Sequence, residues 1–314
     1  MKMLKKSLFL LMLAAALAAG LAGCGEAGQT GEAGQDKTPD TLLFLYEGAG
    51  EQHGLARNDG TIVVPPGDYD CTVYYDEEGR QRFAAKVEST YDPNNVDQYG
   101  QPLMTNRDYS FYDTQGEYIK GVSVDLSGAN DYDVRFCLGA DGSLENSRIF
   151  INELDNRGVY QLLDMEGQVV LSQQAAEPGE WKYSYAELLL AEGFMAVSCS
   201  FNGEDWLDSE NRVDFYTLSG EAIDMGKDYT AIWGLYDALR ERPAAYYIAD
   251  YQGPQGQSLY DVLDREGQVV LSELQRVYSV NGNLFVVSRG FEHGIMNEKG
   301  EWVYKESNFN QLED

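Results

Sequence analysis

Basic side chains are scarce in this 314-residue chain: 23 Lys and Arg stand against 52 Asp and Glu, a formal net charge of −29. A surface this acidic repels a phosphate backbone, which argues against nucleic acid as a partner. Histidine is rarer still, with only His53 and His293, and the four cysteines (Cys24, Cys71, Cys137 and Cys199) form no CxxC pair and no zinc-ligand spacing with them. The hydrolase elbow GxSxG and the zincin HExxH are missing. Gly220 to Asp228 begins like a phosphate loop but puts Met225 at the required glycine and Asp228 at the Ser/Thr position. Gly48-Ala49-Gly50 lacks the third glycine of a dinucleotide fingerprint. After Leu21 no apolar run reaches the length of a membrane-spanning helix. The length suits one large or two ordinary domains, and 43% hydrophobic residues are enough for a packed core.

The N-terminus carries its own message. Lys2, Lys5 and Lys6 precede an apolar stretch from Leu8 to Leu21, the positive n-region and h-region of an export signal. Leu21-Ala22-Gly23-Cys24 follows, and this quartet resembles the lipobox of bacterial lipoproteins. The resemblance implies cleavage between Gly23 and Cys24, lipidation of Cys24 with palmitate and diacylglycerol, and anchoring to the cell membrane on its extracytoplasmic side. More than one acyl chain is needed for stable anchoring, which fits that modification. Residues 1–23 are thus the signal peptide. Residues 24–40 are a lipid-anchored linker that repeats GEAGQ and has no large apolar residue. Its 16 residues after Cys24 span about 20–24 Å as a flexible chain. Cleavage removes three lysines and no acid, leaving 20 basic against 52 acidic groups and a net charge of −32. That charge holds the domain off an anionic bilayer.

The whole chain has 33 glycines, 22 tyrosines and 12 phenylalanines, most of them between residues 41 and 314, the composition of an all-β protein. Tyr160 to Ser172 reads YQLLDMEGQVVLS and Tyr260 to Ser272 reads YDVLDREGQVVLS, ten matches in thirteen positions at an offset of 100 residues. Each reads as a strand, an Asp-x-Glu-Gly turn with Gly167 or Gly267 at positive φ, and a return strand. Related hairpins turn at Gly60, Gly79, Gly116, Gly142, Gly220 and Gly300. The motifs Ala191-Glu192-Gly193-Phe194-Met195-Ala196-Val197, His293-Gly294-Ile295, Glu298-Lys299-Gly300 and Trp302-Val303-Tyr304 resemble those of WG-repeat proteins. His53, Tyr160, Tyr260 and His293 stand where that family has its Trp, and Trp233-Gly234 lacks the turn glycine that should follow. Hairpins this short need a shared core, and radial repetition provides one. The expectation is a β-propeller of five or six blades, six preferred, with N- and C-terminal strands meeting to close the ring. At most a short helix interrupts it, over Ala231 to Arg242 and stopping at Pro243.

For chemistry the reading is sparse. Cys71, Cys137 and Cys199 sit in apolar, strand-like contexts as small buried hydrophobes, with one disulfide among them left open. His53 and His293 occupy the repeat's aromatic slot, which points to structural duty. Asp68 and Asp70, Asp131 and Asp133, and Asn202 to Glu210 are rich enough in oxygen to leave structural calcium open, though solvated turns explain them too. No other cofactor is indicated. Tyr91 to Arg107 reads as a long polar loop suited to recognition. The composite expectation is a lipid-anchored extracytoplasmic binding or interaction module without a catalytic role, whose partner is a protein or a cell-envelope glycan. The first alternative is a carbohydrate-active surface hydrolase or lyase using paired carboxylates. The second is a transporter-associated solute-binding lipoprotein, which would need an alternation of helix and strand patterns not evident in the sequence.

Overall fold

A computed structural model describes residues 43–47, 52–76, 78–97, 99–126, 131–154, 159–173, 183–202, 209–237 and 242–306. The expected export signal, lipobox and linker, and most of the acidic segment 202–210, lie outside the described residues. All described regular structure is strand. The first sheet holds β1 (Leu43–Glu47), β2 (His53–Arg57) and β3 (Ile62–Gly67). The second holds β4 (Asp70–Tyr75), β5 (Gln81–Val96), β6 (Pro102–Asp113) and β7 (Tyr118–Asp125). The third is β8 (Tyr132–Cys137), β9 (Arg148–Glu153), β10 (Tyr160–Leu163) and β11 (Val169–Gln173). The fourth is β12 (Tyr183–Leu190), β13 (Met195–Asn202), β14 (Ser209–Tyr216) and β15 (Ala222–Ile223). The fifth runs through β16 (Tyr229–Asp237), β17 (Arg242–Gln252), β18 (Ser258–Leu263) and β19 (Val269–Leu274). The sixth runs through β20 (Arg276–Asn281), β21 (Leu284–Arg289), β22 (Glu292–Asn297) and β23 (Trp302–Glu306). Within each sheet the strands pair antiparallel in chain order, and one parallel bridge, Asp237 to Val280, joins the fifth sheet to the sixth.

The turns explain why the chain reverses where it does. All eight turn glycines read from the sequence have positive φ, including +77° at Gly167 and +83° at Gly267. In the duplicated hairpin the aspartate before each glycine faces its own backbone. Asp164 Oδ1 accepts from the amides of Glu166 at 2.9 Å and Gln168 at 2.8 Å, and Asp264 Oδ1 accepts from Glu266 and Gln268. Asp76, Asp97, Asp113 and Asn297 do the same in their own turns. Part of the acidic composition is therefore turn chemistry, since a carboxylate supplies the acceptor that a tight reversal lacks.

Each sheet packs on the next through a buried cluster. Leu55 and Val64 meet Ala84 between the first and second sheets, and Phe111 and Val124 meet Ile149 and Leu163 between the second and third. Phe150, Tyr160 and Leu162 meet Met195 and Val197, then Phe194 and Phe215 meet Tyr229 and Leu263, and Leu235 and Val262 meet Phe285 and Met296. Phe111, Phe150, Phe194 and Phe285 are almost wholly buried, and each contributes roughly 1.5–3 kcal/mol of apolar burial. The turn glycines sit against the preceding sheet in register: Gly116 on Val63, Gly167 on Val122, Gly220 on Val170 and Gly300 on Leu271. A consecutive series of small antiparallel sheets, each stacked on its predecessor, is the architecture of a β-propeller, with six blades among the described residues.

Two expectations are corrected. The expected helix over Ala231 to Arg242 is not formed: Ala231 to Asp237 belong to β16 and Arg242 opens β17, with 238–241 outside the described residues. Pairing of Ala231 with Asp250 and burial of Leu235 in the core overrule the local helix preference, and Pro243 sits one residue into its strand, where its missing amide costs least. Tyr91 to Arg107 is not a loop. β5 and β6 continue through it as a long hairpin turning at Gly100, with Pro93, Asn94 and Asn95 left unpaired between Asp92 and Val96. Of the terminal strands, β1 pairs with β2 and β23 with β22, and the chain ends, on which the expected closure of the ring rests, lie outside the described residues. Gly60, the first sheet's turn glycine, has nothing within 4 Å of an added Cβ, unlike Gly116, Gly167, Gly220, Gly267 and Gly300.

Candidate functional site

A cleft of about 930 Å³ lies where the fourth and fifth sheets meet. Asn211 and Arg212 come from β14, Lys227 to Thr230 from the segment entering β16, and Asp250 to Gln252 from β17. Beneath it lies Asp261 of β18, a carboxylate with no solvent exposure. Its Oδ2 accepts from Lys227 Nζ and from the Tyr229 hydroxyl, both at 2.6 Å, and its Oδ1 accepts from the Glu273 amide at 3.2 Å. Glu273 is the only described non-glycine residue at positive φ, +58°, and the ladder between β18 and β19 is irregular at this point. The strained backbone turns its amide toward the buried acid.

This anchor sets the electrostatics of the cleft. Lys227 Nζ also lies 4.1 Å from the centroid of the Tyr251 ring. Partial burial works against its charge, but the hydrogen bonds to Asp261 and Tyr251 and the Asp261 charge hold its pKa above the ordinary value. Tyr229 is pushed well above the ordinary phenol range, first by burial and then by its hydrogen bond to Asp261, so it stays a donor. Arg212 is occupied by Asp214, at 3.0 Å through Nε and 2.9 Å through Nη2. Asp250 differs from these groups. Its buried Oδ1 has no hydrogen-bond partner, and burial raises its pKa above 3.8 against the opposing hydrogen bonds from Ser258 and the Tyr251 backbone. The cleft thus presents held cations, a carboxyl with a spare acceptor, and the amides of Asn211 and Gln252, a set suited to a hydroxyl-rich polar ligand.

Stability should depend on pH through Asp250. Its folded pKa is raised, so the folded state keeps a proton that the unfolded chain releases from pH 3.8 upward, and stability falls as pH rises through that window. Asp250→Asn is expected to raise the melting temperature at pH 7 and to leave it unchanged below about pH 3.8. Calorimetric scans of both proteins across pH 3 to 7 check this.

The residues singled out from the sequence fall elsewhere. His293 packs edge-on to Tyr278 with centroids 5.3 Å apart, and its Nδ1 lies 3.1 Å from the Ser288 hydroxyl. Tyr160, in the same repeat slot, is buried with its hydroxyl 2.9 Å from that of Tyr216. Cys71, Cys137 and Cys199 are free thiols; burial pushes the first up to about 11 and the other two to about 12, which leaves them unreactive. Asp133 pairs with Arg135 at 2.6 Å, and no group of three metal-type ligands forms among the described residues. Lys227, from the phosphate-like stretch, serves Asp261 instead. Asp261 itself is one of the three positions that differ between the two copies of the duplicated hairpin, where the other copy has the exposed Gln161. An acid replacing a neutral residue within an otherwise matching strand was the available signal.

Residues 241–314 match the model of a domain of unknown function, DUF5046. No curated protein matches the chain. Among solved structures the chain is similar to the Dos1 propeller (11% identity, 86% of this chain and 68% of that one, TM-score 0.37). It is also similar to an N10 neuraminidase-like protein of A/little yellow-shouldered bat/Guatemala/060/2010 (11% identity, 82% and 88% covered, TM-score 0.31). A third is the Synechocystis apocarotenoid oxygenase (9% identity, 85% and 69% covered, TM-score 0.32). At these scores the likenesses carry no functional argument.

Proposed function

We propose that the protein is an extracytoplasmic binding module, lipid-anchored through Cys24, that holds a protein or cell-envelope glycan in clefts between rigid blades. The observation that carries the reading is the wide cleft above Asp261. There Lys227 is kept charged and paired, Tyr229 is kept protonated, and Arg212 is bound to Asp214, so these groups are set to contact a ligand rather than to exchange protons. The lipobox Leu21-Ala22-Gly23-Cys24 supplies the anchor, and the linker to residue 40 the reach. Cells expressing the full chain and fed labelled palmitate are expected to label the wild type and not Cys24→Ala. Equal labelling of both would remove the anchor from the account.

A second reading, a carbohydrate-active hydrolase or lyase, is favoured by Asp250 alone. A carboxyl with a raised pKa in a cleft that Asp228 also lines is the starting point for acid catalysis. Glycan turnover that Asp250→Asn abolishes would favour this reading over the first.

A further inference from the structure

A second, smaller cleft of about 280 Å³ lies between the fifth and sixth sheets, lined by Trp233, Ile248, Tyr260, Arg276, Val277 and Tyr278. Trp233 is 42% exposed and Tyr278 48% exposed, and the two rings line this one cleft together. Both are braced. Trp233 meets Tyr260 edge-on at 6.2 Å, and Tyr278 meets His293 edge-on at 5.3 Å. Their strands, β16 and β20, are the pair joined by the parallel bridge. Tyr278 falls in the register shift between Val277 and Ser279, a bulge that re-aims its side chain. Beside Trp233, Gly234 leaves open space where any other residue would place a Cβ.

Arg276 supplies the charge. It makes no ion pair among the described residues, although the chain carries 52 acids, and its side-chain hydrogen bond among them is a long 3.5 Å approach of Nη1 to the Tyr278 hydroxyl. A guanidinium that meets no carboxylate among the described residues, at the edge of exposed aromatic rings, offers two parallel donors to a carboxylate. The volume holds one substituted six-membered ring and is too small for a helix. We infer that this cleft binds a carboxylate-bearing pyranose, the uronic-acid unit of an acidic glycan, with the ring stacked on Trp233 and the carboxylate on Arg276. This deepens the binding-module reading and rests on it.

The test uses the full chain in detergent micelles, titrated calorimetrically with trigalacturonate and with its methyl ester, which keeps the rings and removes the charge. The wild type is expected to bind the acid at least about tenfold more tightly than the ester. Trp233→Ala should weaken binding of both by about tenfold or more, Trp233→Tyr should retain most of it, and Arg276→Gln should erase the preference for the acid. Circular dichroism identifies any variant that fails to fold, and Trp233→Tyr with Arg276→Gln carry the test if Trp233→Ala does. Absence of binding to trigalacturonate, variants that bind like the wild type, or tighter binding of an acidic peptide would each overturn the inference. Palmitate labelling lost with sugar binding intact strikes the anchor, whereas the reverse strikes this cleft.

Discussion

Asp261→Ala is expected to destabilise the protein by about 3 kcal/mol, among the largest effects of any single side chain here. The acid has no solvent exposure and takes three donors: the Lys227 ammonium, the Tyr229 hydroxyl and the Glu273 amide. Lys227 is 32% exposed and can turn to water, which puts the cost at the lower end of that for breaking a buried pair. Tyr229 is 1% exposed and has no such escape. Combining Asp261→Ala with Tyr229→Phe should therefore cost less than the sum of the two single changes, by about 1 kcal/mol, because the orphaned hydroxyl goes with its acceptor. Urea denaturation of the three variants measures both quantities. A loss below about 0.5 kcal/mol for Asp261→Ala would mean that the network does not hold the floor of the cleft.

Gly220→Ala is the second. The residue has φ +88°, and an added Cβ would run into the carbonyl oxygen of Val170 in the preceding sheet. The conformational cost is roughly 1–2 kcal/mol, and crowding against backbone that cannot swing aside adds roughly 1–3 more. Gly60→Ala is the matched control. It has φ +89° with nothing within 4 Å, so only the cost of roughly 1–2 kcal/mol applies. The difference between the two isolates blade-to-blade packing from turn geometry. Equal losses for both would contradict the stacking of the fourth sheet on the third.

What the sequence revealed about this fold, and what it hid, divides by range. Turn glycines are local: a hairpin at Gly167 or Gly267 needs positive φ whatever surrounds it, and the aspartate three residues earlier serves the same few amides. The duplicated hairpins were therefore readable from the amino-acid string. Ala231 to Arg242 was not, because the pairing of β16 with β17 and the burial of Leu235 lie outside any local window. The long hairpin was hidden in the same way. Its Asn, Asp and Pro residues have poor strand preference, yet Ser89 pairs with Arg107 and Tyr91 with Met104 in a ladder that resumes across its register shifts. The cleft was the least visible of all. Lys227 and Tyr229 reach Asp261 from more than 30 residues away, and nothing in a single strand announces that meeting. No turn glycine follows Trp233, and the first strand of the fifth sheet gives it an exposed ring that the sequence pattern does not announce.

The central claim is that the protein presents its blade clefts to a partner in the cell envelope. The most direct measurement places a photo-crosslinking amino acid at Gln252, on the rim of the wide cleft, in the full chain on living cells. The same group at Lys299, exposed on a turn of the sixth sheet, is the control. The account predicts a discrete adduct from position 252 that is absent from position 299 and is lost when Cys24→Ala removes the anchor. Identical adducts from both positions, or none from position 252 with the protein anchored and folded, would contradict it.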